Sequence, residues 1–234
     1  RQLLAPLFID ASTLPSAAAR GLHFRLTEHL GSMPRALVKA EIEGLDPENR
    51  RALRSHGIRI GRESVYAPAL LKSKAVTLRG LLWALRENIE LPLPLPTDGR
   101  ASVAMDKRIS PVFMEIIGYR PMGPIAVRLE ILERIAADAW ELSKKGSFAE
   151  PAPLMNLLGC GADDLGEVLK QLGYQRETKK DAVTYRPKRR QAGRTGKPTV
   201  SKGATKSKQT SPRQTMDADS PFAKLRELRI GGAD

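Results

Sequence analysis

The sequence has a single cysteine, Cys160, three scattered histidines and few aromatic side chains, which make up 5% of its residues. One cysteine cannot form a disulfide framework or a cysteine-based zinc site within the chain. No apolar run approaches the length that crosses a bilayer, and Leu3–Ile9 is too short and too poorly flanked for a signal peptide. We therefore predict a chain without a metal or a membrane partner, in the reducing environment of the cytoplasm.

The sequence also lacks the short motifs that carry common catalytic chemistry. It has no G-x-x-x-x-G-K-[ST] phosphate loop, no acidic magnesium box, no G-x-S-x-G and no H-E-x-x-H. Asp163 and Asp164 are adjacent carboxylates, but a position at the positive end of a helix explains them better than acid–base chemistry does. The sequence therefore predicts no catalytic residue and no cofactor in this chain, and it favours a binding or structural role.

Positive charge is the strongest feature that is present. The 234 residues include 39 Lys and Arg against 26 Asp and Glu, which gives a net charge of +13. Such an excess indicates a polyanionic partner, either nucleic acid or an anionic surface. The charge is concentrated in two places: residues 187–216 contain nine basic residues and no acid, and residues 50–86 contain nine and only Glu63 as an acid.

Residues 57–85 combine an apolar face and a basic face. After the alternating Ile58–Ile60 and a junction at Tyr66–Pro68, leucine and valine recur at helix-like spacings up to Leu85. We predict that basic side chains of this stretch contact the phosphates of a single-stranded nucleic acid: Arg59, Arg62, Lys72, Lys74 and Arg79. The alternative is a solvated surface of a packing domain, which is the favoured interpretation for any one of these residues.

The chain is predicted to be mainly α-helical and to contain five segments. They are a helical accessory domain (1–90), a proline-rich linker (91–99), a small winged-helix-like α+β unit (100–187), a disordered basic tail (188–218) and a short docking helix (219–230). Alternating prolines in Leu91–Pro96 favour an extended strut, and the tail has almost nothing to bury. In the docking helix, the apolar residues that share one side are predicted to contact a partner: Phe222, Leu225 and Leu228.

Over residues 124–186, the order helix, helix, helix and hairpin is typical of a winged helix-turn-helix module. The predicted helices and strands are Pro124–Lys144, Pro153–Leu158, Gly161–Leu172, Tyr174–Glu177 and Val183–Arg186. Acids outnumber bases over residues 125–186, and the third helix begins with Asp163 and Asp164, which disfavours contact with a DNA groove. Only the hairpin is basic, and its Lys179 and Lys180 are predicted as additional phosphate contacts.

Four sequence segments occur in a recognisable order: residues 53–85, 110–136, 154–175 and 219–228. Together they resemble the C-terminal region of alphaproteobacterial helicases related to the mitochondrial degradosome-type DExH-box RNA helicase. The resemblance covers about residues 17–186 and the last dozen. Where that family has aromatic residues near Phe113–Glu115, this chain has Met114, which weakens the case for a base-stacking platform.

The resemblance implies a place for this chain in a larger enzyme. The chain begins at Arg1 without a methionine, and we expect it to follow two RecA-like motor domains. ATP and Mg²⁺ are expected only in those motor domains, so none of the family's ATP-site residues has a counterpart here. The chain would be an accessory region that grips RNA or DNA in single-stranded form, or that binds the motor domains or a ribonuclease.

Two other functions stay open at this point. A free-standing winged-helix regulator would bind duplex DNA, but it needs a basic third helix. A protein-interaction adaptor would dock through Leu91–Pro96 and the helix at Phe222–Leu228, and its basic tail would only keep it soluble.

Overall fold

The computed structural model describes residues 2–179 and 182–188, which belong to one compact unit, and about half of the described residues are helical. The α-helices are α1 (Ala17–Glu28), α2 (Lys39–Glu43), α3 (Pro47–Ser55), α4 (Ser73–Glu87), α5 (Pro111–Ile116), α6 (Leu129–Ser143), α7 (Ala152–Leu158) and α8 (Ala162–Gln171). Short 3₁₀ helices lie at Gln2–Leu7, Ala11–Thr13, Arg35–Val38 and Pro68–Leu71.

The strands form three small antiparallel sheets, with the orders β1-β3-β2, β4-β6-β5 and β7-β9-β8. They are β1 (Ser32–Pro34), β2 (Arg59–Ile60), β3 (Ser64–Tyr66), β4 (Ser102–Ala104), β5 (Tyr119–Met122), β6 (Ile125–Arg128), β7 (Phe148–Ala149), β8 (Tyr174–Lys179) and β9 (Ala182–Pro187). The coarse prediction of a mainly α chain with an α+β part is confirmed. The predicted docking helix and nearly all of the predicted tail lie outside the described residues.

Helices α1 and α3 begin at side chains that cap them. The Ser16 hydroxyl accepts a hydrogen bond from Ala19 N–H at 3.1 Å, and the Asp46 carboxylate accepts one from Asn49 N–H at 2.7 Å. Caps of this kind contribute about 1 kcal/mol each. The apolar faces of these helices pack with the first sheet in one buried cluster, which includes Leu14, Leu22, Leu26, Met33, Val38, Ile42, Leu53, Ile58 and Val65.

Helix α4 is shorter than predicted and buries a different face. The predicted helix from Pro68 is interrupted at Lys72, whose backbone is extended. The side of α4 that packs inward carries Ala75, Arg79, Gly80, Trp83 and Ala84, whereas Leu85 is 74% exposed. The small residues let neighbouring segments approach closely, so this side packs although it is not the leucine-rich one.

The proline-rich stretch packs against α4. Leu93 and Leu95 contact a buried cluster that contains Trp83 and Phe113, whose ring centroids are 5.1 Å apart. A Cβ added at Gly80 would lie 3.3 Å from Leu93 Cδ1, so the glycine makes room for this segment. The leucines between the prolines, Leu93 and Leu95, are therefore partly buried against this cluster.

Strand β6 corrects the prediction of a single helix over Pro124–Lys144. Its four residues pair antiparallel with all four of β5, and Gly123 forms the hairpin turn between them with a φ of 78°. Helix α6 begins only at Leu129. Three consecutive buried apolar residues, Ile125–Val127, start the predicted helix. Such a run fits a buried strand as well as the first turn of a helix, and periodicity cannot separate the two.

After α6 the order is β7, α7, α8 and the β8–β9 hairpin, with β9 in the middle of the sheet. Gly159, at a φ of 64°, ends α7 in the left-handed conformation. The fully buried Tyr185 of β9 stacks on Phe148 of β7 with ring centroids 5.9 Å apart. Helix α8 lies over this sheet and buries Leu165, Val168 and Leu169. Helices α7 and α8 and the β8–β9 hairpin agree with the predicted elements, whereas β7 was not predicted.

Polar contacts join the two sides of the proline-rich stretch, and we call them the polar seam. The donor–acceptor pairs are Ser32 Oγ to Glu115 O at 2.8 Å, Arg120 Nη2 to Glu63 O at 3.3 Å, Arg128 Nη2 to Leu71 O at 3.2 Å and Ser64 N to Glu133 Oε1 at 2.7 Å. The seam is built mostly from charged side chains on backbone groups. It therefore adds polar ties to the apolar cluster of Trp83 and Phe113, which also joins residues before the proline-rich stretch to residues after it.

Candidate nucleic-acid interface

Arg79 is not a phosphate contact, which corrects the sequence prediction. Its side chain is fully buried, with Nη1 donating to Leu70 O at 2.9 Å and Nη2 donating to the Ser32 hydroxyl. Its Nε has no hydrogen-bond partner among the described residues. Burial lowers the pKa of Arg79 to about 9, which still leaves the guanidinium charged at neutral pH. Arg79 extends the polar seam and does not face solvent.

The other predicted basic residues of the central stretch are exposed, and they fall into two groups. Arg59 lies on β2 and Arg62 in the loop after it, whereas Lys72 and Lys74 lie at the start of α4. None of the four forms an ion pair within the described part of the chain. Their positive charge is therefore available to a ligand.

A cleft between α3 and β2 gathers three arginines, and we call it the arginine cleft. It has a volume of about 390 Å³ and is lined by Arg50, Arg54, Ile58, Arg59 and Ile60. None of these five lining residues is acidic. Guanidinium groups bind phosphate oxygens through two parallel N–H donors, so three of them around one opening form an anion-binding surface.

The local sequence explains how the arginine cleft forms. Arg50 and Arg54 are one turn apart on α3 and therefore lie on the same face. Gly57 then takes a φ of 78° and turns the chain back into β2, which carries Arg59. The Arg50 guanidinium donates to Ile42 O at 2.9 Å and to Leu45 O at 3.3 Å, which fixes one wall of the cleft.

The loop after β2 is fixed by a carboxylate from α6. Glu133 Oε2 accepts a hydrogen bond from Arg62 N–H at 2.6 Å, and Oε1 accepts from Glu63 N–H at 3.0 Å and Ser64 N–H at 2.7 Å. Gly61 permits this approach, because a Cβ there would lie 2.3 Å from the Glu133 carboxyl group. Backbone hydrogen bonds to a carboxylate are among the stronger ones in proteins, so the loop has a defined conformation.

The carboxyl group of Glu63 lies in the same region. Burial raises the pKa of Glu63, and the nearby charge of Glu133 raises it further, while the charges of Arg120, Arg35 and Arg62 oppose the change. The charged form of this carboxylate therefore reduces the stability of the fold, although the surface around it is otherwise positive.

The Arg62 side chain lies over an exposed indole. Its Cζ is 4.7 Å from the centre of the Trp140 ring, and Trp140 is 44% exposed. Trp140 and Glu133 are seven residues apart on α6, which places them on one face, two turns apart. One helix therefore holds both the backbone and the side chain of Arg62.

Lys72 and Lys74 form a separate basic group at the beginning of α4. Ser73 between them donates its hydroxyl hydrogen to the Asp98 carboxylate at 2.6 Å. The helix macrodipole disfavours cations at this end of a helix, by about 0.3–1 kcal/mol each. The two lysines therefore do not stabilise α4, and their phosphate-binding role stays a prediction.

The basic residues of the β8–β9 hairpin differ from those of the arginine cleft. Arg176 contacts Asp163 at 3.1 Å, and Arg186 contacts Glu177 at 2.6 Å. Lys179 is the last residue of β8, while Lys180 lies outside the described residues, as do the predicted docking residues Phe222, Leu225 and Leu228. Both hairpin arginines are therefore paired with acids, and Asp163 and Glu177 belong to the same α+β part.

Three residues of this surface were not among the predicted contacts. Arg50 and Arg54 could have been found from their four-residue spacing within the predicted helical accessory domain. Trp140 could have been found as a large aromatic residue outside the apolar stripe of α6, which buries Leu132, Ile135 and Ala139. Their meeting with Arg59 and Arg62 depends on the fold and has no signal in the sequence.

Within the described ranges, no group of three His, Cys, Asp or Glu side chains could hold a metal ion, and no helix is long and apolar enough to cross a membrane. Comparison of the chain with protein-family models finds no match, and searches of curated proteins and of solved structures find none. The resemblance to a helicase C-terminal region therefore stays a prediction. Any functional proposal depends on the geometry of the basic surface.

Proposed function

We propose that this chain is a non-catalytic region of an ATP-dependent DExH-type helicase that binds single-stranded nucleic acid and supports the motor domains. The observation that carries the proposal is the arginine cleft, in which Arg54 and Arg59 are exposed and have no acidic partner within the described residues. Arginines with no acid to neutralise them keep their full attraction for phosphates. The resemblance contributes the helicase context, and the net charge of +13 supports a polyanionic ligand.

The C-terminal part is proposed as a winged-helix-like unit with a packing role. The order α6, β7, α7, α8 and a two-stranded hairpin supports the comparison. Asp163 and Asp164 lie in the first turn of α8, where a DNA-reading helix would approach a phosphate backbone. The pairing of Arg176 and Arg186 with acids also argues against groove binding. Sequence-specific reading of duplex DNA is therefore not part of this proposal.

A protein-interaction adaptor is the second candidate, and exposed apolar residues of α4 and the segment after it favour it. Leu82 is 36%, Leu85 74% and Ile89 42% exposed. Spacings of three, four and seven residues place Leu78, Leu82 and Leu85 along one stripe of α4. Apolar stripes of this kind mark contact surfaces between proteins. The two candidates differ in whether the arginine cleft binds nucleic acid.

The proposed function can be tested by binding of a fluorescent single-stranded oligonucleotide to the full chain over a series of salt concentrations. The test variant is Arg54→Ala with Arg59→Ala. The matched control is Arg176→Ala with Arg186→Ala, which removes the same charge from arginines that are paired with acids. Because the control leaves the rest of the chain unchanged, any contribution of the basic C-terminal segment is equal in both variants.

We expect the cleft variant to bind about tenfold more weakly. The slope of its log–log salt dependence should become shallower by about 0.7 for each phosphate that the variant no longer neutralises. The control is expected to change affinity by less than about twofold, because surface ion pairs contribute little. An equal weakening in the two variants would mean that only net charge matters, and the cleft would not be the binding surface. Unchanged binding in the cleft variant would leave the adaptor as the better candidate.

A further inference from the structure

The contact between Arg62 and Trp140 is not explained by phosphate binding. An indole that is 44% exposed leaves apolar surface in contact with water, and the guanidinium 4.7 Å from its centre leaves part of the ring open. The other tryptophan, Trp83, is buried against Phe113 and has a packing role. Met114, which stands where the resembling family has aromatic residues, is 2% exposed and cannot contact a base.

The pair is held in position before any ligand binds. Glu133 accepts backbone hydrogen bonds from Arg62, Glu63 and Ser64, which fixes the loop against α6. Trp140 follows two turns later on the same face of that helix. The guanidinium and the indole are therefore both carried by segments with a defined conformation, and a ligand would not have to order them.

The pair is also next to the arginine cleft. Ile60 lines the cleft and is two residues from Arg62, which limits the separation of their Cα atoms to about 7 Å. A strand whose phosphates lie against Arg54 and Arg59 would therefore have bases within reach of Arg62 and Trp140. Unpaired bases stack on aromatic rings and on guanidinium planes, and every base has a face that can do so.

We propose that Trp140 and Arg62 form a stacking site for an unpaired nucleobase at the edge of the arginine cleft. The inference rests on the proposed nucleic-acid function and adds the mode of recognition. Phosphate contacts alone do not distinguish a nucleic acid from another polyanion, whereas a stacking site requires a base. Stacking depends on the face of a base and not on its hydrogen-bonding edge, so the proposed site accepts any of the four bases.

The test uses the full chain and the natural fluorescence of its two tryptophans, Trp83 and Trp140. The ligands are a single-stranded oligouridylate and an abasic oligonucleotide of the same length and charge. The variants are Trp140→Leu, Trp140→Phe and Arg62→Lys. Trp140→Phe keeps a ring and Arg62→Lys keeps the charge, so both report on geometry and not only on folding.

We expect the oligouridylate to quench the fluorescence of the unmodified chain and the abasic ligand to leave it nearly unchanged. The quenching should disappear in Trp140→Phe, because Trp83 is buried. Trp140→Leu should weaken binding of the oligouridylate at least about fivefold and leave the abasic affinity unchanged, since stacking on one aromatic residue is worth about 1–3 kcal/mol per base. Trp140→Phe and Arg62→Lys should weaken binding to an intermediate degree.

Three different failures can be told apart. Tight binding of the oligouridylate without quenching, and with equal affinity in Trp140→Leu, would overturn the stacking site and leave the phosphate-binding function standing. Absence of binding for both ligands would overturn the proposed function, and the stacking site with it. Weaker binding of both ligands by Trp140→Leu, with a lowered melting temperature, would show that the indole is structural, and this also overturns the proposal.

Discussion

In the arginine cleft, Arg54 and Arg59 are exposed and have no acidic partner within the described residues, whereas in the polar seam Arg79 is fully buried and bonded to the oxygens of Leu70 and Ser32. All three belong to one basic stretch of the sequence, and all three carry the same charged group. The difference shows that a cluster of basic residues in a sequence can combine exposed side chains with buried structural ones, and that only the exposed ones are accessible to a ligand.

The energetic consequences of the two environments are also opposite. Arg54 and Arg59 of the arginine cleft remain hydrated and can be removed at little cost to the fold. Arg79 of the polar seam has been moved out of water without a carboxylate partner, so its removal leaves a cavity and an unsatisfied carbonyl at Leu70. Substitutions that affect stability but not binding, or binding but not stability, can therefore separate the two regions.

The largest expected effect on folding is that of Arg79→Ala. We expect it to lower the free energy of unfolding by about 2–4 kcal/mol, because a large buried side chain is deleted and Leu70 O loses its donor. Arg79→Met also removes the donor to Leu70 O, but it keeps most of the volume and removes the buried charge, so its cost should be smaller, about 1–2 kcal/mol. Urea unfolding of the full chain measures both.

Nucleic-acid affinity of the folded Arg79 variants provides the contrast with the arginine cleft. It should stay within about twofold of the unmodified chain, whereas the cleft variant loses affinity without losing stability. If Arg79→Met weakened binding as much as Arg54→Ala with Arg59→Ala, Arg79 would have to reach the ligand, and the distinction between cleft and seam would fail.

A smaller effect is expected where the two regions meet, at Gly61→Ala. The added Cβ would displace the Glu133 carboxylate from the loop, and disruption of three charge-assisted hydrogen bonds should cost about 1–2 kcal/mol of stability. Gly21→Ala, in α1, is the matched control, because its nearest neighbour would lie 3.9 Å away. That change should be neutral or stabilise by up to about 1 kcal/mol.

Gly61→Ala should also reduce quenching of Trp140 by the oligouridylate, since the loop that carries Arg62 is released from α6. Thermal unfolding and fluorescence titration of the same samples report on the two effects. A variant that is destabilised but still fully quenched would show that the loop does not position Arg62 for stacking.

The smallest effect expected is a dependence of stability on pH at Glu63. Because burial raises the pKa of Glu63, the folded chain binds this proton more tightly than the unfolded chain does. The stability that comes from the protonated carboxyl is present below the unfolded pKa and is lost as the pH rises through the folded pKa. Glu63→Gln removes this pH dependence. The difference in the free energy of unfolding between the variant and the unmodified chain should therefore shift in favour of the variant as the pH rises from about 4 to about 8.

Chemical unfolding of both proteins at the two ends of this range measures the effect, and all other titrating groups cancel in the difference. A difference in stability that does not change with pH would mean that Glu63 is as well solvated in the folded chain as in the unfolded one.

Several parts of this fold could be predicted from local chemistry. Asp46 followed by Pro47 predicts the start of α3, and the structure has both the cap and the first turn there. Gly159 and Gly173 end α7 and the turn after α8 in the left-handed conformation, which few other residues adopt readily. These features depend on neighbours within a few residues, and such neighbours are visible in the sequence.

The inner face of α4 could not be predicted in this way. Leucine spacing predicts that Leu82 and Leu85 are buried, yet Leu85 is mostly exposed and Arg79 is completely buried. The outcome depends on which segments approach the helix, and Gly80 admits the proline-rich stretch and α5 on that side. Hydrophobic periodicity cannot predict that an arginine is buried, because burial of Arg79 depends on the carbonyl oxygen of Leu70 and the hydroxyl of Ser32 that accept its hydrogen bonds.

The sequence by itself determined the helical character of the chain, the caps and turns that bound most of its elements, the excess of positive charge and the absence of common catalytic motifs. The tertiary structure decided that Arg79 is buried, that Arg50, Arg54 and Arg59 share a cleft, and that Arg62 meets Trp140 across 78 positions of the sequence. The physical reason is that solvation and ion pairing of a charged side chain depend on residues far away in the chain, whereas capping and turns depend on those beside it.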